Sequence, residues 1–378
     1  MESSTRSNRI PSYELLRVIA MGMVLCLHCN YQYGALADTA NSMTPTRVMG
    51  GLLESLAIVA VNVYVLISGY FLSRTQFKLS RLVRLLCQIL FYTLLIPAVL
   101  SLFHIQVSGT DLWSAVFYFL PVSMNHYWFV TSYVFLVLLS PVLNAAADHL
   151  TRRQLKGVLL LLLFFTSALP SLSPVQLNTD TFGYDFSWFL VLYLTAAYLR
   201  RCGMGRLAKK RNALCWYLAS CFGIFLLYLG LHLAYERTGS IAWYMQVPFH
   251  YNFLLVYTAS LGFFALFHGL ALPERGPIRA LTALAPYTFG VYLIHQHVDV
   301  KDRWAGVLQR VTGAVSQTAP FRYLLQMLAA AVILFAVCAA IDWMRAKLFA
   351  LVGRGLGHTR LSGIMAKADG IFAENEKK

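Results

Sequence analysis

The sequence predicts an all-α polytopic membrane protein, a bundle of about ten transmembrane helices with both termini in the cytoplasm. Composition, the length of the apolar runs and the distribution of positive charge support this fold class. Of the 378 residues, 58% are hydrophobic and 12% are charged, whereas an average soluble domain has about 25% charged residues. We therefore expect a lipid bilayer as the surroundings of the chain and one membrane domain as its main body.

The apolar runs locate the predicted spans. A helix needs about 20 predominantly apolar residues to cross a hydrocarbon layer roughly 30 Å thick, and runs of about this length recur along the chain. Ten spans are predicted, near residues 13–33, 50–73, 85–105, 127–147, 157–173, 186–199, 213–233, 250–272, 281–297 and 323–343.

Positive charge indicates the orientation. The termini and the segments after even-numbered spans hold 24 of the 31 Lys and Arg residues, the opposite loops hold six, and Arg17 lies within the first span. This asymmetry is the pattern of the positive-inside rule and predicts that the termini are cytoplasmic. Topology thus explains the net charge of +15, and we expect no nucleic-acid partner.

The seven cysteines do not suggest a disulfide framework, because their number is odd and most lie in or near predicted spans. Cys26-x-x-Cys29 with His28 resembles part of a metal site. A second ligand pair with suitable spacing is missing from the sequence, so we interpret these cysteines as small apolar packing residues and predict no metal.

The first span carries three ionisable residues on one stripe. The eleven steps from Arg17 to His28 return to within about 20° of the same direction at about 100° per residue, and Glu14 precedes Arg17 at an ion-pair spacing. The same steps place His28 roughly 16 Å further along the axis. A long substrate with an anionic end near Arg17 and a reactive end near His28 would use both. The alternative is an Arg17 that extends to the interface and a His28 that hydrogen-bonds a neighbouring helix.

A basic pair follows the second span. Arg81 and Arg84 lie one helical turn apart at the start of span three, after Lys78, and this geometry suits phosphate. Spacing alone favours the simpler interpretation, an ordinary topogenic basic loop.

Four polar residues are expected in the outer half of the bundle. Under the predicted topology, His28, Glu54, His126 and His295 all lie toward the side opposite the basic loops. Only His28 and His295 are well placed for proton transfer, since histidine titrates near neutral pH. The aromatic residues after His126, including Trp128, are typical of an interfacial belt.

Taken in order, these motifs resemble one family. They are Glu14-x-x-Arg17 followed by His28, the Ser68-Gly69-Tyr70-Phe71-Leu72 end of span two, Arg81-x-x-Arg84, His126-Tyr127-Trp128-Phe129 leading to Leu139-Ser140-Pro141, and Thr288-Phe289-Gly290-Val291-Tyr292-Leu293-Ile294-His295. Over roughly residues 10–345 the chain resembles the acyltransferase-3 family of integral membrane O-acyltransferases, and within it the stand-alone enterobacterial-common-antigen and O-antigen O-acetyltransferases.

The resemblance implies a multi-pass enzyme of the bacterial inner membrane that uses acetyl-CoA as acyl donor and a lipid-linked or surface glycan as acceptor. It implies that residues 1–345 form an integral membrane acyltransferase domain and 346–378 a short basic cytoplasmic tail. We predict catalytic roles for His28, Arg17 and Glu14, donor binding by Lys78, Arg81, Arg84 and Ser68, and acceptor binding by Glu54, His126, Trp128, Tyr292 and His295.

Two departures limit this transfer of roles. Glu14 stands where the family often has Asp, which keeps the charge, and Asn62 stands near a position that is often Asp, so no catalytic role is assigned to it. Some relatives carry a fused extracytoplasmic hydrolase-like domain. This chain is expected to act directly on its acceptor or with a separate partner, and a homo-oligomer stays open.

The hypothesis is that donor phosphates bind Arg17, Arg81 and Arg84 from the cytoplasm, and that His28 acts as general base or, as the less favoured route, as an acetyl-carrying nucleophile. Glu54 or another buried polar group could hold the imidazole tautomer. The alternative from another class is a transporter or flippase of a glycan or lipid intermediate. Inverted repeats with paired broken helices would favour it, and the sequence shows none.

Overall fold

The computed structural model describes residues 10–109, 111–273, 275–356 and 360–371, and throughout these ranges the regular secondary structure is helical. The α-helices are α1 (Pro11–Gln32), α2 (Pro45–Ala57), α3 (Ala60–Leu72), α4 (Leu79–Leu102), α5 (Leu112–Phe119), α6 (Trp128–His149), α7 (Arg152–Leu163), α8 (Leu169–Leu172), α9 (Phe186–Cys202), α10 (Lys210–Thr238), α11 (Leu254–His268), α12 (Gly276–Thr282), α13 (Thr288–His295), α14 (Trp304–Thr312), α15 (Pro320–Leu356) and α16 (Arg360–Ile371).

The predicted fold class is confirmed, and each predicted span contains helix. In the described ranges, eight helical stretches are long and apolar enough to cross a membrane, namely Pro11–Gln32, Pro45–Leu72, Leu79–Leu102, Trp128–His149, Arg152–Leu172, Lys210–Thr238, Ala242–His268 and Pro320–Arg354. The other two predicted spans correspond to α9, with 17 residues, and α13, with eight residues after a 3₁₀ turn at Ala285–Tyr287.

These two shorter helices lie inside the bundle. Trp188, Phe189 and Tyr193 of α9 are buried, and α9 packs against α3, α6 and α7. All of α13 except Phe289 is buried, with α15, α1 and α4 around it. Helices that pack mainly on protein need not present a full apolar length to lipid, so these two can be shorter than a lipid-facing span.

Breaks in the second and fifth spans show how the helices are adapted to their neighbours. The second consists of α2 and α3 with a short break between Ala57 and Ala60, and the fifth contains a π-helical turn at Phe164–Ala168. A glycine allows a close helix contact of the second span, since a Cβ on Gly69 of α3 would lie 3.0 Å from the Cα of Tyr193 and from the Cβ of Ala196 in α9. The bundle therefore depends on a small residue at that crossing.

Contacts between loops show which segments lie at each end of the bundle. At the end that holds the basic loops, the Arg201 Nη1 donates to the Leu150 carbonyl over 2.6 Å, and Tyr13, near the start of α1, pairs with His268, at the end of α11, over 2.6 Å. We call this end the basic face. The contacts agree with the predicted alternation, in which segments after even-numbered spans share one side with the start of the first span.

The opposite end, here the outer face, gathers the segments after odd-numbered spans. The Gln32 side chain donates to the Lys301 carbonyl over 3.1 Å, and the His232 ring lies 2.9 Å from the Ala37 carbonyl oxygen. Each described loop contact at this end joins segments that the sequence assigns to one side. Which face points to the cytoplasm stays a prediction.

The predicted tail contains helix where it is described. Helix α15 continues to Leu356, and α16 packs on α4. The Asp369 carboxylate accepts from the Ser80 backbone N–H over 2.9 Å and from its hydroxyl over 2.5 Å. These hydrogen bonds lower the pKa of Asp369, so the carboxylate is charged at neutral pH and complements the positive end of α4. Residues 372–378 of the predicted tail lie outside the described residues.

Candidate active site

A cavity of ≈ 530 Å³ runs through the bundle between α1, α3, α4, α6 and α13. This volume falls in the range of small-molecule sites in proteins. Its wall includes Glu14, in the first turn of α1, and His28, one turn before the end of that helix, so one cavity extends from the basic face to the outer half. Its lining residues include Glu14, Arg17, His28, Ser68, Trp128 and Tyr292.

Arg17 forms the cationic end of the cavity. Its Nη1 donates to the Glu14 carboxylate, as the spacing of three residues predicts. The Arg17 side chain is 31% exposed and that of Glu14 is 9% exposed, so the guanidinium reaches open space while its partner is held in the protein. The guanidinium carbon lies 5.9 Å from the centre of the Phe71 ring, and the Tyr64 hydroxyl donates to the Arg17 carbonyl over 2.6 Å.

His28 lines the cavity further along the same helix and contacts a second histidine. Its Nδ1 lies 2.8 Å from Nε2 of His295 and 3.0 Å from the side-chain nitrogen of Gln296. His295 is fully buried, and its Nδ1 lies 2.6 Å from the carbonyl oxygen of Val291, one turn earlier in α13. The sequence left open which buried group contacts the His28 imidazole, and the structure identifies His295.

Glu54 lies away from the cavity wall. Its carboxylate accepts from the Asn30 side chain over 2.8 Å, and Asn30 also donates to the Gly50 carbonyl over 2.9 Å. The Tyr323 hydroxyl completes this network by donating to the Asn30 side-chain oxygen. The structure therefore places Glu54 in a buried link between α1, α2 and α15, and its predicted role at the acceptor gains no geometric support.

His126 also lies apart from the cavity, in a buried aromatic and polar cluster at the outer face. The centre of its ring is 4.7 Å from that of His297. Nearby, the Asp299 carboxylate accepts from the Ser108 backbone N–H over 2.6 Å and from the Tyr118 hydroxyl over 2.8 Å. Burial lowers the pKa of His126 to about 4, so its imidazole is neutral near pH 7.

Aromatic rings form the outer end of the cavity. Trp128 stacks on Tyr251 with 5.7 Å between ring centres and an interplanar angle of 25°, and Phe129 contacts Tyr292 at 5.6 Å. The Asn62 amide supports this wall because it donates to the Tyr251 carbonyl over 2.8 Å. Its side-chain oxygen accepts from Trp188 over 2.9 Å. Both polar groups of the Asn62 side chain are thus engaged in hydrogen bonds within the bundle.

The predicted donor-binding residues divide into two groups. Ser68 lines the cavity and donates to the Tyr64 carbonyl over 2.9 Å. Lys78, Arg81 and Arg84 have exposed side chains at the basic face. They lie outside the wall, but Gln88, four residues after Arg84 in α4, lines it. Four helical residues rise about 6 Å, so the basic side chains lie within reach of the cavity end.

Sequence reasoning missed several residues of the wall. Tyr64, Gln88, Tyr133 and Tyr251 line the cavity, and Gln88 is fixed by a hydrogen bond of 3.1 Å to Asp342. A polar Gln88 within an apolar span was an available signal. Tyr251 gave none, because tyrosines at span ends are common in membrane proteins.

The site of this membrane protein thus combines a cationic cavity end with a histidine deeper in the same wall. The chain belongs to the acyltransferase-3 family, since the sequence model of that family, described as an acyltransferase domain, matches residues 10–343. The matched region contains all ten predicted spans. The protein is therefore a membrane acyltransferase. Comparisons with curated proteins and with solved structures gave no match.

Proposed function

We propose that this acyltransferase moves an acetyl group from acetyl-CoA to a hydroxyl of a lipid-linked or surface glycan at the bacterial inner membrane. The observation that supports the proposal most directly is the single cavity whose wall carries both Arg17 and His28. Anion recognition and proton transfer require different residues, and this cavity offers both along one path.

The donor enters from the basic face in this proposal. Its phosphates bind Arg17, Arg81 and Arg84, with Lys78 adding positive charge, because guanidinium groups match phosphate oxygens in charge and geometry. Helical rise separates Arg17 from His28 by roughly 16 Å, a distance that the extended pantetheine arm of coenzyme A spans. The thioester then lies beside His28, and Ser68 lies along the path.

The acceptor approaches from the outer half. Trp128, Tyr251 and Tyr292 offer ring faces and polar tips, a combination that suits a sugar, which has apolar C–H faces and hydroxyl edges. The proposal therefore assigns the aromatic end of the cavity to the glycan and the cationic end to the donor.

In the proposed reaction, His28 takes the proton of the acceptor hydroxyl while the hydroxyl oxygen attacks the thioester carbonyl. The tetrahedral intermediate then breaks its C–S bond. The thiolate of coenzyme A leaves and recovers the proton from His28, which gives the acetyl ester and free coenzyme A.

The test uses membrane vesicles that contain the native glycans, supplied with radiolabelled acetyl-CoA. We expect label in the extracted glycan with the unchanged protein and a loss of about 10²-fold or more with His28→Ala. His149→Ala is the matched control, since His149 is exposed and bonds to the Ala145 carbonyl of its own helix. Undiminished transfer by folded His28→Ala protein contradicts the proposal.

A further inference from the structure

The contact between His28 and His295 specifies which nitrogen of His28 can act as a base. We propose that His295 is a positioning residue that holds the proton of His28 on Nδ1 and leaves Nε2 free to take the acceptor proton. This inference rests on the proposed function, because it refines the role of His28 in acyl transfer. It assigns His295 to the imidazole of His28 instead of to the glycan.

The tautomer of His295 follows from its own hydrogen bond and from its burial. The carbonyl oxygen of Val291 can only accept, and it lies 2.6 Å from Nδ1 of His295, so Nδ1 carries a hydrogen. His295 is fully buried, and burial without a paired anion strongly disfavours a charged ring. The neutral ring has one hydrogen, which is on Nδ1. Its Nε2 is therefore a hydrogen-bond acceptor.

The hydrogen-bond acceptor on His295 in turn determines which nitrogen of His28 carries a hydrogen. Because Nε2 of His295 accepts, Nδ1 of His28 must donate across the 2.8 Å that separate them. The Gln296 amide lies 3.0 Å from the same Nδ1, and a half turn of the amide presents its oxygen to that N–H. His28 then has its lone pair on Nε2. When Nε2 takes the hydroxyl proton, the new imidazolium keeps its Nδ1–H bond to His295, and charge strengthens that bond.

Hydrogen bonds hold His295 rigidly in place. His295 is the last residue of α13, and its side chain bonds back to Val291 in the preceding turn. The Trp304 indole N–H donates to the His295 carbonyl over 3.1 Å, which holds the end of the helix. Both the ring and the backbone of His295 are thus fixed by hydrogen bonds. A fixed acceptor can orient His28, in the way that a carboxylate orients a catalytic histidine in other enzymes.

The kinetic test compares His295→Ala with His295→Gln in purified protein with acetyl-CoA and extracted glycan. The glutamine side chain can place an oxygen near the former Nε2, whereas alanine cannot. We expect kcat to fall about 10²-fold in His295→Ala, with the KM for acetyl-CoA within about threefold, and His295→Gln to recover at least about tenfold. His232→Gln is the control, since His232 is also buried but bonds to Ala37 and Tyr228 at the outer face.

A spectroscopic test separates this inference from the proposed function. Nitrogen-15 NMR of labelled histidine reports which nitrogen of His28 carries the proton, with no acyl donor present. We expect an unprotonated Nε2 in the unchanged protein and in His295→Gln, and a mixture of tautomers in His295→Ala. A proton on Nε2 in the unchanged protein, or equal loss of kcat in folded His295→Ala and His295→Gln, overturns the inference. A protein without transferase activity but with the expected tautomer contradicts only the proposed function.

Discussion

At the scale of single residues, the arginines of the basic face differ in how firmly they are held. Arg17 is fixed by Glu14 and lies over Phe71. The Arg84 Nε donates weakly to the Ser80 carbonyl over 3.4 Å, and the side chain is exposed. An exposed arginine that binds a phosphate loses rotamer freedom, and this loss offsets part of the binding energy. We therefore expect Arg84 to contribute affinity for the donor and to have little effect on the chemical step.

Substitution of Arg84 tests this division of roles. We expect Arg84→Ala to raise the KM for acetyl-CoA about tenfold, the equivalent of ~1.4 kcal/mol, with kcat nearly unchanged because the thioester still reaches His28. Initial rates against acetyl-CoA concentration measure both constants. Arg153→Ala is the matched control, as Arg153 is an exposed arginine at the start of α7, after the fourth span. A defect confined to the glycan dependence would contradict donor binding by Arg84.

Residues on one helix were predictable, whereas partners across helices were not. Glu14, Arg17 and His28 share α1, so helical periodicity alone indicated that one cavity could contain all three. His28 and His295 are 267 positions apart, and their contact depends on how α13 packs beside α1. Helix packing likewise decides that Glu54 hydrogen-bonds to Asn30 and does not line the cavity.

At the scale of elements, α13 packs closely against a buried carboxylate of α15. Asp342 is fully buried and accepts from the Tyr92 hydroxyl over 2.8 Å, while Arg345 donates to it from two nitrogens over 2.9 Å. Gly290 of α13 lies directly against this carboxylate, since a Cβ there would be 2.1 Å from Cγ of Asp342. The position of α13, which carries His295, therefore depends on the absence of a side chain at Gly290.

Gly290→Ala is expected to displace α13 from α15. Overpacking of this kind costs roughly 1–3 kcal/mol, and a lower melting temperature of the detergent-purified protein would record it. Gly22→Ala is the control, because no atom lies within 4 Å of a Cβ at Gly22 of α1 and alanine favours helix. Equal melting temperatures for the two variants would show that Asp342 moves aside without cost.

The ends of a helix could be predicted from the sequence only where the thickness of the bilayer sets the length of the helix. Hydropathy located the long spans, since the bilayer sets their length. It could not show the break between α2 and α3 or the shortness of α13, because protein contacts decide these features. Helix α16 was also missed, as its attachment to Ser80 through Asp369 joins positions 289 residues apart.

At the scale of the whole molecule, orientation decides whether the cavity can work as proposed. The cationic end with Arg17 lies toward the basic face, and the aromatic end with Trp128 lies toward the outer face. Acetyl-CoA is a charged, bilayer-impermeant compound, so the proposed donor path requires the basic face to meet the cytoplasm. The positive-inside rule predicts the same orientation from the loop charges alone, an independent argument for it.

Cysteine labelling can test the orientation. Thr39 and Arg153 have exposed side chains, the first in the loop after α1 and the second at the start of α7. With a membrane-impermeant maleimide on intact spheroplasts, we expect Thr39→Cys to label at once and Arg153→Cys to label only after permeabilisation. The unchanged chain is the control for its own seven cysteines. The reverse pattern would place Arg17, Arg81 and Arg84 on the side without acetyl-CoA, and donor entry at the basic face would then be impossible.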